Sequence, residues 1–94
     1  MTRDDLQITA HAAIRMAERM IDTDDVLLVV LTGEVIESYP QDRPLPSRLQ
    51  LAWVGGRPVH VVSAPDGPRV IVITVYDPSE FPGQWSADFR RRIL

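Results

Sequence analysis

The chain has no cysteine, no lysine, two histidines and only 6% aromatic residues over 94 positions. Without cysteine there is no disulfide scaffold, no thiolate-ligated zinc and no thiol nucleophile. The two histidines, His11 and His60, are far apart and form no His-x-His or His-x-x-x-His pair, so no metal site and no cofactor is expected. No apolar run approaches the roughly 18 to 20 residues that a membrane helix needs. The start, Met1-Thr2-Arg3-Asp4-Asp5, is acidic and lacks the apolar stretch of a secretory signal, which makes cytoplasmic residence and no membrane association the expectation. Gly55-Gly56 precedes a strand pattern rather than a helix, so it is not a phosphate-cradling loop, and neither Ser47 nor Ser63 has a recognisable hydrolase context.

What is present is enough for one domain spanning 1–94, with 45% apolar residues to build a small core. All ten basic residues are arginine, a planar fork suited to carboxylate and phosphate. The net charge of −3 argues against a general nucleic-acid coat, but its distribution is uneven. Residues 1–42 carry three Arg and nine acids, whereas residues 43–94 carry seven Arg and four acids.

Thr9 is a candidate N-cap for a first helix whose apolar arc holds Ala12, Ala13, Ile14, Met16, Ala17, Met20 and Ile21. His11, Arg15, Glu18 and Arg19 fall together on the opposite arc. Thr23 is read as the N-cap of a second helix, with Asp24 and Asp25 favoured by the dipole in its first turn and Gly33 as its C-cap. Val26 to Leu31 is apolar nearly all round and reads as a buried helix, although the β-branched run also fits a strand. Strands are expected over 34–39, 48–54, 58–64 and 69–76, with turns at Gly55-Gly56 and Pro65-Asp66-Gly67-Pro68 and a proline-rich loop over 40–47. Residues 85–92 read as a short terminal helix or an ordered tail. The expected fold is α+β, two helices on one face of a four-stranded antiparallel meander.

The pattern Ile8-Thr9-x-His11-Ala12-x-x-Arg15-Met16-x-Glu18-Arg19 resembles the opening motif of the DUF4258 domain family. Gly33-Glu34-Val35-Ile36-Glu37, Pro46-Ser47-Arg48-Leu49, Gly56-Arg57-Pro58-Val59-His60-Val61-Val62 and Ile73-Thr74-Val75-Tyr76 extend the resemblance over roughly residues 8–92. That family looks related to the RelE/ParE-like toxin superfamily. The resemblance implies a RelE-like fold, a ribonuclease-like toxin and a zinc-ribbon antitoxin as partner, though fold alone does not give function.

Metal-free RNA cleavage needs a base for the 2′-hydroxyl, an acid for the 5′-oxygen and cations for the phosphorane. His11, Arg15 and Tyr76 are the candidate catalytic residues, and Arg19, Arg48, His60, Thr74, Arg90 and Arg91 the candidate substrate contacts. Each has a structural alternative. His11 also fits a hydrogen bond at a helix start, His60 a packed strand imidazole, Tyr76 a half-buried strand end, and the arginines solvated ion pairs. Trp53 and Trp85 read as packing anchors. A non-enzymatic interaction module, using a free strand edge or the Arg-rich tail, is the competing reading.

Overall fold

The computed structural model describes all residues, 1–94. After a 3₁₀ turn at Arg3–Asp5 come strand β1 (Leu6–Ile8), helices α1 (Ala10–Arg19) and α2 (Thr23–Thr32), and strands β2 (Glu34–Tyr39), β3 (Ser47–Val54), β4 (Arg57–Asp66) and β5 (Arg69–Tyr76). The sheet order is β1-β5-β4-β3-β2. β2 to β5 form the expected antiparallel meander. β1 adds a fifth strand parallel to β5, so the sheet is mixed rather than purely antiparallel. Three residues carry too little alternation to be read as a strand; the unpaired edge of β5 gives Leu6–Ile8 its partner.

Thr9 caps α1 as expected, its side chain accepting from the Ala12 N–H. The cap of α2 is Asp22, not Thr23. Asp22 and Asp25 each accept from the other's backbone N–H, a reciprocal box that satisfies two end donors at once. The apolar arcs are narrower than the sequence suggests. Ile14 on α1, Met20 at its C-cap, and Leu28 and Leu31 on α2 are exposed, while Ala12, Met16, Val26, Val29 and Val30 face the sheet. Gly33 follows α2 with an extended backbone, so it is not needed for a left-handed turn. Its small size matters instead: a Cβ there would lie 2.4 Å from the Val29 carbonyl oxygen. Gly55 and Gly56, at φ +59° and +78°, do supply the left-handed pair that a two-residue hairpin requires.

The core lies between the helices and one face of the sheet, where Val59, Val61, Val70, Val72 and Val75 meet Ala12, Met16, Ile21, Val26, Val29 and Val30. Val72 and Val75 reach the same face because β5 is bulged: Val62 pairs Thr74 while the next residue, Ser63, pairs Val72, leaving Ile73 as the extra residue. Strict alternation puts Thr74 and Tyr76 beside Val70 and Val72. The bulge reverses this and turns Thr74 and Tyr76 to the opposite face.

That opposite face is covered by the C-terminal segment. It makes a 3₁₀ turn at Pro78–Glu80 and continues without a helix, joined to itself by a single bridge between Trp85 and Arg92. The terminal helix considered from sequence is absent; the segment is an ordered strap.

Candidate functional site

The position of α1 follows from Thr9. Besides capping the helix, its hydroxyl donates to the Ile73 carbonyl at 3.1 Å, pinning the helix start to the bulge of β5. His11 follows two residues later, and its Nε2 lies 3.0 Å from the Thr74 Oγ1. Helical periodicity then stacks Arg15 and Arg19 one and two turns beyond, on the same side. These residues, with Tyr76 and Val62 on the sheet and Tyr39 at the end of β2, line an open cleft of about 610 Å³. Phe81, Gln84, Trp85 and Arg92 of the strap form its other wall.

Under the strap lies a buried imidazole. His60 is fully enclosed, with Trp85 edge-on at 4.5 Å and Tyr76 at 5.2 Å between ring centroids. Its Nε2 is 2.9 Å from the Phe89 carbonyl, which can only accept. Nε2 therefore carries the proton, and Nδ1 accepts from the Tyr76 hydroxyl at 3.2 Å. Burial pushes the His60 pKa down to about 4, so the ring is neutral near pH 7. Burial also raises the Tyr76 phenol, which keeps its proton.

Ion pairs fasten the strap at both ends. Asp77 holds Arg57 at 2.9 Å and accepts from the Ser79 N–H and hydroxyl; burial opposes its ionisation, but these bonds hold it below the usual carboxylate range. Arg90 pairs with Glu34 at 3.0 Å, and Phe89 packs on Trp53 with centroids 5.9 Å apart. Arg92 grips Glu37 through Nε and Nη2, at 3.3 and 3.1 Å, and lies 4.5 Å over the Trp85 ring. Burial alone would raise the Glu37 carboxyl, but hydrogen bonds from Arg92 and Tyr39 outweigh it and keep it ionised. Burial and that same carboxylate push the Tyr39 phenol up to about 12.

The cleft lining thus carries three guanidiniums and an imidazole but no carboxylate. The counter-ions stand behind the lining. Glu18 accepts from Arg15 Nη1 at 3.0 Å, and Glu80 lies 3.0 Å from Arg19 Nε. Arg15 bonds Glu18 through Nη1, whereas Arg92 is shared among Glu37 and the Tyr39 and Tyr76 hydroxyls. Convergent N–H donors on a concave wall are chemistry suited to an anion, and the planar arginine fork matches phosphate or carboxylate. No cluster of three or more His, Cys, Asp or Glu capable of holding a metal occurs in the chain.

Of the nine residues singled out from sequence, His11, Arg15, Arg19, Thr74 and Tyr76 lie together in this cleft. His60 sits beneath it and is too buried to touch a substrate. Arg48 pairs across from Ser63 and Ser38 and stands on the helix-bearing face, away from the cleft. Arg90 points to Glu34, and Arg91 also lies outside the lining. The arginine that does enter is Arg92, the last of the three consecutive arginines Arg90-Arg91-Arg92. Only its sequence neighbours marked it, and nothing local distinguished it from Arg90 and Arg91. Tyr39 and Gln84 had no sequence signal, because each reaches the cleft from a separate part of the chain.

The model of a domain of unknown function, DUF4258, matches residues 8–77. No curated protein and no solved structure matches the chain. The matched stretch holds α1, α2 and β2 to β5 and ends where the strap begins.

Proposed function

The chain belongs to the DUF4258 family, and from that premise we propose that its cleft binds RNA and cleaves it without a metal, as the toxin half of a toxin–antitoxin pair with a RelE-like activity. The observation that carries this reading is the convergence of His11, Arg15, Arg19, Thr74 and Tyr76, from one helix and one strand, on a cleft without acids.

In the proposed reaction the 2′-oxygen attacks phosphorus and the bond to the 5′-oxygen breaks. With Nε2 of His11 engaged by Thr74, Nδ1 is the ring nitrogen left to take the 2′-hydroxyl proton. Arg15 and Arg19 face the charge that builds on the non-bridging oxygens. The Tyr76 proton is committed to His60, so the phenol presents an oxygen lone pair to the cleft and orients the 2′-hydroxyl rather than protonating a leaving group. Water supplies the proton to the 5′-oxygen.

The test is a single-turnover assay on a single-stranded oligoribonucleotide in the presence of a chelator. Cleavage with 2′,3′-cyclic phosphate ends is expected, slowed at least 100-fold in His11→Ala and in Arg15→Ala. A folded wild-type protein that leaves the RNA intact, or a His11→Ala variant that cleaves at full rate, overturns the reading.

The zinc-ribbon antitoxin belongs to the same proposal. An interaction role is favoured by one specific feature: β2 is an edge strand with Val35 exposed, and its outer hydrogen-bonding groups are open to an added strand. Co-expression with a zinc-ribbon protein of the antitoxin type, followed by gel filtration and protection of the β2 amides from exchange, tests that interface separately.

A further inference from the structure

We infer that a second cavity, adjoining the cleft, takes the base of the nucleotide that carries the attacking 2′-hydroxyl, and that this base is guanine. This rests on the RNA reading above and names the specificity of that same site.

The second cavity, of about 270 Å³, is bordered by the loop between β2 and β3 and by Ala64, Ile71 and Ile73 of the sheet. Its walls continue those of the cleft. On β4, Ala64 lines the cavity and Val62, two residues earlier and on the same face, lines the cleft. On β5, the extra residue of the bulge, Ile73, lines the cavity, and Thr74, the next residue, lines the cleft. At the start of α1, Thr9 borders the cavity and His11 the cleft.

The order along the helix matches the order within a ribonucleotide. Thr9 comes first, His11 follows it and Arg15 stands one turn further on. A ribonucleotide presents its base, its 2′-hydroxyl and its 3′-phosphate in the same succession. The base that enters is therefore the one on the 5′ side of the broken bond.

Pockets for drug-sized ligands begin at about 300 Å³, so this cavity suits one smaller planar group. Leu45, Ala64, Ile71 and Ile73 offer apolar surface to the ring faces of an unstacked base. The polar groups on the loop select among the bases. Asp42 and Arg43 both line the cavity. The Ser47 hydroxyl donates to Asp42 Oδ2, which orients the carboxylate and leaves Oδ1 to accept from a ligand. The Arg43 guanidinium has no counter-ion within the chain. Guanine alone among the four bases places two neighbouring donors, N1–H and the N2 amino group, on its pairing edge, beside the O6 acceptor. A carboxylate next to a guanidinium complements that edge.

The experiment measures binding of the guanosine, adenosine, cytidine and uridine 3′-monophosphates and of inorganic phosphate. The guanosine compound should bind the wild type about tenfold more tightly than each of the others, as one good base contact supplies. Asp42→Asn, which sets an amide N–H₂ against the guanine donors, should cut that preference below about twofold and leave phosphate binding unchanged. Ser47→Ala keeps the carboxylate and should retain most of the preference, which separates a lost base contact from a displaced loop. Arg15→Gln should weaken all four nucleotides alike. Equal affinity for the four, preference for another base, an unchanged preference in Asp42→Asn, or an equal loss in Ser47→Ala overturns the inference. A guanine preference in a protein that cleaves no RNA would leave this inference standing and remove the nuclease. RNA cleavage without base preference would do the reverse, and no binding of nucleotide or phosphate would remove both.

Discussion

On its helix-covered side the sheet presents Val59, Val61, Val70, Val72 and Val75 to two amphipathic helices. On the other side it presents His60, Tyr76, Leu49, Leu51 and Glu37 to a strap with no regular structure beyond one short turn. Two layers of one protein thus solve the same problem, covering a sheet, by different means. Valine against helix removes apolar surface from water without needing partners for polar atoms. The strap instead packs Trp85 and Phe89 on His60 and Trp53 of the sheet and adds three ion pairs to it, and it leaves the end of the face nearest α1 uncovered. That opening is the cleft. A face closed by close-packed valines has no room for a ligand, whereas a face closed by an irregular segment can leave one.

Four substitutions sharpen this contrast. The largest expected effect is on chemistry alone. His11→Ala should lower RNA cleavage by about 10²- to 10⁴-fold, the usual worth of a general base. The urea midpoint should hardly move, because the ring is exposed and packs no core. A parallel loss of stability would place His11 in the fold rather than in the site.

The second effect is confined to the strap side and depends on pH. The His60 ring titrates near 6.5 in the unfolded chain and near 4 in the folded one, because burial disfavours its charge. Above pH 6.5 both states hold a neutral ring and nothing is lost. As the pH falls from 6.5 to 4 the unfolded chain takes up a proton that the folded chain refuses, so stability falls, by on the order of 3 kcal/mol in total. Glu37 and Asp77, both held below the ordinary carboxylate range, give up their contributions at lower pH still. Unfolding free energies measured from pH 7 to pH 4 should therefore slope downward in the wild type and be nearly flat in His60→Gln. An unchanged slope would mean that the strap does not seal this ring.

Third, Val61→Ala on the helix-covered face should destabilise the protein by about 2 kcal/mol through lost burial and a residual cavity, equally at pH 7 and pH 5. Chemical denaturation at the two pH values checks this, and a pH-dependent loss would blur the distinction between the faces. The smallest effect is expected at Arg90→Ala. Its pairing with Glu34 is more than half exposed, so the loss should stay below about 0.5 kcal/mol by thermal melting. A larger loss would show that the strap hangs on that ion pair rather than on the aromatic contacts of Trp85 and Phe89.

Local sequence carries much of this architecture. The Thr9 cap, the limits of β2 and β5 and the glycine hairpin turn are legible because each depends on neighbours in the chain: a hydroxyl three residues before an N–H, an unbroken β-branched run, a pair of residues free to adopt positive φ. The same holds for the grouping of His11, Arg15 and Arg19, which the helical repeat alone puts on one side. Other features were read wrongly for equally physical reasons. Asp22 displaced Thr23 as cap because the reciprocal bond with Asp25 satisfies a second donor. β1 went unseen because a three-residue strand is stabilised by its partner rather than by its own pattern.

What the sequence determined by itself, then, is the two helices, the four strands of the meander and the residues that share a face within each helix. Tertiary structure decided which faces meet. The bulge at Ile73 reverses the side on which Thr74 and Tyr76 emerge, and the strap carries Arg92 to Glu37, 55 residues away along the chain. Periodicity is a property of a single element, so it can place His11 beside Arg15. Only pairing between strands and the path of the strap can place either of them opposite Arg92, because those depend on contacts between residues remote in the chain.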